Sequence, residues 1–475
     1  MTKLHILTKS RFVQSVRCKK LAWLAEHKPE IIKEDLSHVQ EGQAVGALAR
    51  TLYPTGILVE GDNLIQKTQL LMQARVTIFE ATFQVNRLLC KVDILAPVDG
   101  GWELIEVKSA TDVKSDHIED VSFQAMLLRE AGVQVIGAYV LHINSDFKKS
   151  DVINPELFFT KASINVKEID TIVASTLAAI DGSEPTVALG SYCNTSQRRT
   201  ECPAKSYCWK HLPENNVMHF YFDKKMGFNY LLDGVQGLLD VKPELLEGKH
   251  IIQYESLKNN APHIQSKQIQ KFLEHFAYPL YFFDLETIGP ALPLHDGAKP
   301  YQAIPFQFSL HILGQSGELT HHEFLAQDDD PRPAFTHALE LLGDSGTILA
   351  YNAGFEKGIL KDLARWDPNL VPRIESLCSR FVDLIDPFKQ FWYYDAKQKG
   401  SCSLKAVLPA LTGISYDALT IKKGDVAASE YYRVTYDNPQ AEDREFVREA
   451  LLRYCELDTL AMVEIYRVLQ AASRN

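Results

Sequence analysis

The chain has 475 residues and a mass of 53.6 kDa, about three times the usual size of one domain, so two or three domains are expected. Its composition, with 46% hydrophobic and 23% charged residues, is that of a globular protein and excludes a mostly disordered, fibrous or collagen-like chain. The net charge of -11 excludes a global positive field, so a polyanionic partner would need a local basic surface or bound metal ions.

The sequence predicts a cytoplasmic protein that does not enter a membrane. No apolar run approaches the roughly 20 residues of a membrane span, and the first residues lead into a mixed segment rather than a signal peptide. Eight cysteines are too few for a disulfide scaffold in a chain of this length. A local group of cysteines in a reducing compartment instead indicates a metal.

Residues 1–212 are predicted to form a mixed sheet flanked by helices. Apolar residues at helical spacing and runs rich in Val, Ile, Leu and Phe indicate the individual elements. Predicted helices cover 11–27, 40–52 and 115–131, and predicted strands cover 74–84, 87–96, 102–109 and 133–143. The order of three strands, a helix and a strand predicts an α/β domain.

The remainder of the chain divides into a helical connector and a second α/β domain. Between 213 and 275 no alternating pattern is found, and short apolar groups predict short helices. From 276 to 475 the pattern changes to long strands, near 280–285 and 306–313, then alternates between helix and strand up to a final helix near 441–472. A second mixed sheet with flanking helices is therefore expected.

A first group of reactive residues falls on the predicted strands of residues 1–212. Glu106 and Lys108 lie two residues apart on one strand, so their side chains share a face, and Asp93 on the hairpin partner can reach the same place. Two such carboxylates repel each other unless a cation lies between them, which favours Mg²⁺ or Mn²⁺. Lys108 would position the attacking water or stabilise charge, and Gln124 would hold a base or a phosphate-bound water. The ordinary alternative for Glu-x-Lys is a solvated strand face.

Asp93, Glu106, Lys108 and Gln124 resemble the PD-(D/E)XK nuclease core of RecB-like enzymes, over about residues 10–212. The resemblance implies an acidic pair that binds the metal and a lysine that assists hydrolysis. Such enzymes often carry a metal-binding histidine on the helix before the sheet, and residues 41–46 contain none. Glu80 is the candidate that replaces this histidine.

Four cysteines form a second group. Cys193, Cys202 and Cys208 follow one another closely, and Cys18 lies far upstream on the first predicted helix. This pattern resembles the iron–sulfur staple of RecB-like exonucleases, which implies a structural [4Fe–4S] cluster, although four thiolates also suit tetrahedral zinc. A Cys₃His zinc site with His211 in place of Cys18 and core cysteines without a metal are the alternatives.

Acidic residues at the ends of predicted elements form a third group, in residues 276–475. An apolar strand ends in Asp284-Leu285-Glu286, so both carboxylates leave the same face. Tyr454 and Asp458 are four residues apart on the last helix and therefore share one side of it. Glu356 follows another predicted strand. Four carboxylates from three segments fit a two-metal site that clamps the attacking and leaving oxygens of a phosphodiester.

The order and placement of these residues resemble the DEDDy branch of the RNase H-like 3′–5′ exonucleases, over about 276–475. The resemblance implies that Tyr454 orients the nucleophilic water and that the acidic residues bind two metal ions. Glu356 stands where that branch usually has Asp, and Asp383 is an alternative ligand.

The tandem as a whole resembles an uncharacterised bacterial family of the DUF type that fuses a RecB-like domain to a DEDDy-like domain. The stretches that carry this resemblance are Tyr278-Pro279-Leu280, Ile304-Pro305-Phe306-Gln307, Ser403-Leu404-Lys405 and Gly424-Asp425-Val426-Ala427.

These observations predict a metal-dependent nuclease with two separate hydrolytic sites, an exonuclease rather than an endonuclease. Nucleic acid is the expected partner, with DNA ends or single strands favoured over RNA. Surface cations would supply a local positive track: Lys114, Lys148, Lys149, Arg198, Arg199, Lys205 and Lys210. The alternative is a nucleic-acid-binding or scaffold protein in which one or both sites have decayed.

Overall fold

A computed structural model gives the fold, and it describes residues 5–32, 39–194, 201–327 and 330–474. The predicted α/β class is confirmed, because mixed sheets and many helices make up the chain. Two compact units are present, one comprising 1–211 with 290–301 and the other 212–289 with 302–475. Within the described ranges, no helix combines the length and the apolar character that crossing a bilayer requires.

The first unit contains short and long strands and helices of very different length. Its strands are β1 (Leu7–Thr8), β2 (Ile57–Leu58), β3 (Ile78–Val85), β4 (Leu88–Val98), β5 (Gly101–Lys108), β6 (Val135–Ile143) and β7 (Phe159–Ser163). Its helices are α1 (Lys9–Arg17), α2 (Lys19–His27), α3 (Val39–Arg50), α4 (Leu64–Gln73), α5 (Ser115–Glu130), α6 (Pro155–Phe158), α7 (Asp170–Asp181) and α8 (Lys205–Cys208).

A seven-stranded mixed sheet forms the centre of the first unit, in the order β2-β3-β4-β5-β6-β7, with β1 parallel to the start of β4. β3, β4 and β5 are antiparallel neighbours, as tight turns allow, whereas β5 and β6 run parallel because helix α5 connects them. One apolar core contains Phe12 of α1 and Phe123 of α5, whose rings stack. This core holds α1 and α5 near the ends of β4 and β5.

The second unit carries the longest helix of the described chain. Its strands are β8 (His263–Ile264), β9 (Leu280–Ile288), β10 (Ile304–Leu313), β11 (Leu319–Leu325), β12 (Thr347–Ala350), β13 (Phe381–Asp383) and β14 (Tyr393–Tyr394). Its helices are α9 (Lys224–Leu232), α10 (Gly248–Asn259), α11 (Ser266–Leu273), α12 (Arg332–Ala338), α13 (Gly354–Trp366), α14 (Val371–Arg380), α15 (Asp386–Lys389), α16 (Leu404–Thr412), α17 (Gly424–Tyr432) and α18 (Arg444–Ala472).

A five-stranded sheet in the order β11-β10-β9-β12-β13 organises the second unit. β11, β10 and β9 are antiparallel neighbours, and β9, β12 and β13 run parallel. β9 is the central strand; its first half is apolar, as burial on both faces requires, and Asp284, Glu286 and Thr287 are the polar residues of its second half. Phe283 and Leu285 enter the core on one face. On the opposite face, Gln307 and Ser309 of β10 form hydrogen bonds with Leu451 and Thr459 of α18.

Residues 213–275, for which the sequence predicts a separate connector, belong to the second compact unit. β8 pairs with β14, and Val217, Phe220 and Tyr254 form part of a small apolar core. Short helices bury too little surface to be stable alone, so they pack within the unit that offers them a partner.

The helix predicted over 11–27 is interrupted. α1 ends and α2 begins on either side of Cys18, whose backbone is extended, with φ -164° and ψ 122°. The apolar spacing continues through the break, because both helices bury apolar side chains in the first unit: Phe12 on α1, and Leu21 and Leu24 on α2.

Candidate functional site

The first acidic site lies where β4, β5, α1 and α5 meet. Asp93 is on β4, Glu106 and Lys108 are at the end of β5, and Gln124 is on α5. Asp93 Oδ2 accepts a hydrogen bond from the backbone N–H of Val107 at 2.7 Å, which orients this carboxylate toward the end of β5. The structure therefore brings together the four residues that the sequence singled out in this part of the chain.

Glu106 is the centre of this site. Its side chain is 2% exposed and accepts hydrogen bonds from Lys108 Nζ at 2.7 Å and from Gln124 Nε2 at 2.7 Å. Burial by itself would raise the pKa of Glu106, but the charges of Lys108 and Lys9 hold it below its usual range. Glu106 is consequently ionised at neutral pH.

Asp93 behaves in the opposite way. Burial raises its pKa, and the neighbouring charge of Glu106 raises it further, whereas Lys9 and Lys108 lower it only in part. Two adjacent carboxylates in a low-dielectric site cannot both ionise at little cost, so a cation placed between them would be favoured.

Two members of the site were missed by the sequence analysis. Lys9 Nζ, at the start of α1, donates to Glu106 at 2.9 and 3.1 Å and lies 3.7 Å from Asp93 Oδ1. Asp120 on α5 accepts from Lys108 Nζ at 2.7 Å and from Gln124 Nε2 at 2.9 Å. Asp120 precedes Gln124 by four residues on a predicted helix, a spacing that could have indicated it. No sequence signal points to Lys9.

Lys108 and Gln124 each donate hydrogen bonds to both Glu106 and Asp120. Burial would lower the pKa of Lys108, but the charges of Glu106 and Asp120 raise it above its usual value, so Lys108 is an ammonium ion. Gln124 is fully buried, and its amide nitrogen donates hydrogen bonds to Glu106 and Asp120. Within the described residues its carbonyl oxygen has no hydrogen-bond partner.

Glu80 lines a cavity of about 360 Å³ together with Asp93, Glu106 and one face of α3. The neighbouring residues of β3 pair as Phe79 with Ile94 and Ala81 with Val92, so Glu80 lies opposite Asp93 at an irregularity with φ +55°. Glu80, Asp93 and Glu106 do not, however, bring three ligand atoms within 4.8 Å of one another among the residues described. The site is wider than a compact three-carboxylate group.

The four cysteines Cys18, Cys193, Cys202 and Cys208 line one small cavity of about 20 Å³. All four are free thiols, and Cys18 lies at the break between α1 and α2. His211 is exposed and does not line this cavity. Cys18, and not His211, is therefore the residue that lies with the other three cysteines.

Which metal these thiols could bind depends on the distances between their sulfur atoms and on their charge. Zn–S bonds of about 2.3 Å would bring tetrahedral sulfur atoms to about 3.8 Å of one another. In the described part of the chain, no group of three ligand atoms within 4.8 Å contains a cysteine. Burial also raises the pKa of Cys193 and of Cys202, and raises that of Cys208 to about 11. Four thiolates in this place would therefore need a bound cation.

The second acidic site lies on the face of β9 that α18 covers. Asp284, Glu286 and Asp458 bring one carboxylate oxygen each within 4.8 Å of one another. Burial raises the pKa of all three, to about 8 for Glu286 and about 6 for Asp458, and the charge of Asp458 contributes next for Asp284 and for Glu286. Three crowded, buried carboxylates are tolerable as anions only with a divalent cation among them.

Tyr454 lies beside this group on α18, one turn before Asp458. Its phenol accepts a hydrogen bond from Lys405 Nζ at 3.0 Å, and Lys405 also donates to the carbonyl oxygen of Lys422 at 2.7 Å. Burial, followed by the charge of Asp458, raises the pKa of Tyr454, so the phenol keeps its proton at neutral pH. It can therefore donate a hydrogen bond into the site.

Tyr416 and Cys455 are further contacts of this site that the sequence analysis did not find. Tyr416 donates to Asp458 Oδ1 at 2.5 Å, and Cys455 Sγ lies 3.7 Å from Asp284 Oδ2. Cys455 is adjacent to Tyr454 in sequence, but no motif marks Tyr416, which belongs to a loop after α16.

Glu356 lies near the three carboxylates but is not part of their group. It is 3% exposed, in the first turn of α13, and its Oε2 has no hydrogen-bond partner among the described residues. Burial raises its pKa to about 7, with a smaller contribution from Asp383. The charge of Glu356 in turn raises the pKa of Asp284 and Glu286. Asp383 is engaged by the backbone N–H groups of Asn352 and Ile385.

The surface cations expected to form a positive track are partly neutralised. Lys149 Nζ lies 2.6 Å from Asp296 Oδ1, and Lys205 pairs with Glu201. Lys114 and Lys148 are exposed, and Lys210 lies over the ring of Tyr207. Arg198 and Arg199 lie outside the described residues. A cation in an ion pair adds little to a positive field, so this track is weaker than the sequence predicted.

Fold and geometry define an α/β protein with two clusters of buried acidic residues. Comparison with known proteins relates part of it to a domain family: residues 281–403 match the model of DUF2779, described as a domain of unknown function. The match includes Asp284, Glu286 and Glu356 and ends before Tyr454 and Asp458.

A relative from Mycoplasma pneumoniae, named "Uncharacterized protein MG366 homolog", is 26% identical over 208 residues. The alignment covers 39% of this chain and 31% of the relative, so the chain spans less than a third of that protein.

Proposed function

We propose that this protein is a metal-dependent nuclease that hydrolyses phosphodiester bonds at two separate sites. The observation that carries the proposal is the convergence of Asp284, Glu286 and Asp458, which come from β9 and α18 and place three carboxylate oxygens within 4.8 Å of one another. Burying carboxylates costs free energy, and buried carboxylates with shifted pKa values cluster at functional sites of proteins. The order of these residues along the chain and the mixed sheet agree with the resemblance to DEDDy exonucleases.

The ligand set of the second acidic site suits Mg²⁺ or Mn²⁺. Both ions prefer oxygen ligands, and Asp284, Glu286 and Asp458 offer carboxylates only. Glu356 has a buried oxygen that lacks a hydrogen-bond partner among the described residues, and it would hold a second ion. Such ions activate water and stabilise charge on a phosphate group.

The side chains around the carboxylates have roles of their own. Tyr454 keeps its proton and is oriented by Lys405, so its hydroxyl would position the attacking water. Lys405 carries a positive charge 3.0 Å from that hydroxyl and would attract the phosphate. Tyr416 holds Asp458 in place through the 2.5 Å hydrogen bond.

The first acidic site is proposed as the other hydrolytic centre, with Asp93 and Glu106 as metal ligands and Glu80 facing them across the cavity. Lys108 is protonated and engaged by two carboxylates, so its role would be to stabilise negative charge on the phosphate rather than to accept a proton. Gln124 would fix the orientation of Glu106.

The four cysteines are proposed to hold a structural [4Fe–4S] cluster. Cys18 and the group Cys193, Cys202 and Cys208 come from opposite ends of the first unit, so a cluster would tie these ends together. A zinc ion bound by the same four thiolates is the alternative.

Nucleic acid, with DNA favoured over RNA, is the proposed substrate. Because the chain carries a net charge of -11 and several surface cations are paired, the metal ions themselves would supply much of the attraction for the phosphate backbone.

A binding or scaffold protein with a decayed first site is a second candidate, favoured by one observation. The ammonium of Lys9 lies between Asp93 and Glu106, where a metal ion would be expected. A site neutralised by two lysines does not require a metal for stability.

The test uses end-labelled and circular DNA and RNA with Mg²⁺ or Mn²⁺. Wild-type protein is compared with Asp93→Asn and Asp284→Asn, and with the exposed-carboxylate controls Asp99→Asn and Glu340→Gln. Two sites predict that each site variant loses a different product while both controls keep all products. Binding without cleavage in the wild type would refute the nuclease proposal and favour the scaffold.

A further inference from the structure

A cluster of two histidines and a glutamate lies in the second unit, among residues that the proposed hydrolytic site does not use. His311 on β10 and His321 on β11 face each other directly across the antiparallel pair, with ring centroids 4.5 Å apart. Together with Glu456 of α18, they place one potential ligand atom each within 4.8 Å of the other two. The distance of 3.9 Å from His321 Nδ1 to Glu456 Oε1 is too long for a hydrogen bond.

Each imidazole contacts a hydroxyl group through its other nitrogen. His311 Nδ1 lies 2.8 Å from Thr459 Oγ1, and His321 Nε2 lies 2.9 Å from Ser309 Oγ. The two hydroxyl oxygens are 2.7 Å apart. Thr459 Oγ1 also donates to the backbone carbonyl of Glu456 at 3.1 Å. The four side chains therefore form one continuous hydrogen-bonded chain.

One arrangement of the protons in this chain satisfies all of its contacts. In this arrangement Thr459 gives its one hydroxyl proton to the Glu456 carbonyl, and Ser309 gives its proton to Thr459 Oγ1. Both hydroxyl oxygens then accept from the rings, which places the N–H groups at His311 Nδ1 and His321 Nε2. The lone pairs remain on His311 Nε2 and His321 Nδ1.

We propose that His311, His321 and Glu456 form a binding site for a divalent transition-metal ion of the Zn²⁺ class. Two imidazoles and one carboxylate are the ligand set of three-ligand zinc sites that keep an open position. Metal-binding histidines characteristically donate their second N–H to a fixed acceptor, as both rings would in this arrangement of protons. Bonds of about 2.0–2.2 Å would place ligand atoms about 3.3–3.6 Å apart, so only a small contraction is needed.

This site would select a different ion from the carboxylate group nearby. Imidazole nitrogen favours Zn²⁺, whereas Mg²⁺ is held by oxygen ligands. The side chains of His321 and Glu456 are 24% and 46% exposed, so the ion could exchange with solvent. It would join the β10–β11 hairpin to α18, the helix that also carries Tyr454 and Asp458.

The experiment is a Co²⁺ titration of the metal-free 475-residue protein. Excess Mg²⁺ is present, so that sites with oxygen ligands only are filled. Visible absorption of Co²⁺ reports its coordination, and Zn²⁺ should abolish the signal by displacement. We expect binding to the wild type and at least tenfold weaker binding to His321→Ala. His322→Ala is the matched control, because its side chain points to the other face of β11 and binding should be unchanged.

Further variants separate this site from the other two and from a failure to fold. Asp284→Asn and Cys18→Ser should both keep the displaceable Co²⁺ signal, and Ser309→Ala should weaken it about tenfold by releasing the ring of His321. If His321→Ala does not fold, Glu456→Gln gives the same readout at a half-exposed position.

Equal Co²⁺ binding by the wild type and the folded His321→Ala or Glu456→Gln variant would overturn the proposal. A signal lost only in Cys18→Ser or only in Asp284→Asn would do the same. No nucleic acid is present in this titration, so its outcome is independent of the proposed nuclease activity.

Discussion

The ammonium of Lys9 lies 2.9 Å from Glu106 Oε1, although the two residues are 97 positions apart in the sequence. It also lies 3.7 Å from Asp93 Oδ1, so a positive charge already occupies the space between the two acidic residues. If the first acidic site binds a metal ion, that ion must compete with this ammonium.

Replacement of Lys9 by Met should therefore strengthen metal binding at the first site. We expect the affinity for Mn²⁺ to rise roughly tenfold, equivalent to about 1.4 kcal/mol, because a competing charge is removed. The measurement is Mn²⁺ titration in an Asp284→Asn background, which silences the second site. Lys9→Arg, which keeps the charge, is the control. An unchanged affinity in Lys9→Met would indicate that Asp93 and Glu106 do not hold the ion.

Metal-free protein should lose stability as pH rises toward neutrality. Burial raises the pKa of Glu356 to about 7 in the folded state, from an ordinary value of 4.5. Between these values the folded state binds more protons than the unfolded state, so the free energy of unfolding of the second unit should fall with rising pH. Glu356 alone would contribute roughly 3 kcal/mol at most.

Two measurements check this pH dependence. Thermal unfolding from pH 5 to pH 8 should show that Glu356→Gln loses less stability than the wild type. The exposed-site control Glu340→Gln should lose as much stability as the wild type. Excess Mg²⁺ should remove most of the loss, because ions replace protons among the carboxylates. A wild-type stability that increases over this range in the absence of metal would contradict the raised pKa.

Removal of the Tyr454 hydroxyl should reduce cleavage without releasing the metal. We expect Tyr454→Phe to lower kcat about 100-fold, the usual contribution of a group that positions or transfers a proton. Mn²⁺ affinity should stay within about twofold, since the carboxylates remain. Cleavage rates and Mn²⁺ titration on the same preparation check this, and a parallel fall in metal affinity would instead assign Tyr454 a structural role.

Loss of Cys18 should release iron from the first unit. Anaerobically purified wild-type protein is expected to contain iron and acid-labile sulfide, and Cys18→Ser should lose both and unfold at lower temperature. Cys378→Ser, at a half-buried cysteine of the second unit, should keep both. Zinc without sulfide in the wild type would support the alternative metal. Normal iron in Cys18→Ser would remove this cysteine from the ligand set.

Much of the secondary structure follows from local patterns. The strands β3 to β6 and the helix α5 lie within a few residues of the predicted segments, because their apolar residues recur with the period of the element that forms. Helix α7 was not predicted, although its residues Val173, Thr176 and Ile180 are buried at helical spacing. A break at Cys18 was not predicted because the apolar pattern runs through it.

Site residues that share one element could be paired from the sequence. Asp284 and Glu286 alternate along β9, and Tyr454 and Asp458 are one turn apart on α18, so fixed geometry places each pair on one side. Residues contributed by other elements could not be paired in this way. Tyr416 reaches Asp458 from a loop, and His321 meets Glu456 from a separate strand.

The amino-acid sequence by itself determined the α/β class, most element positions and most of the acidic residues of both sites, because each depends on periodicity within a short segment. Only the tertiary structure decided that Lys9 lies between Asp93 and Glu106, that Glu356 lies outside the three-carboxylate group, and that His311 and His321 meet Glu456. These contacts join residues that are distant in sequence. Their positions depend on how whole sheets and helices pack, which no local pattern records.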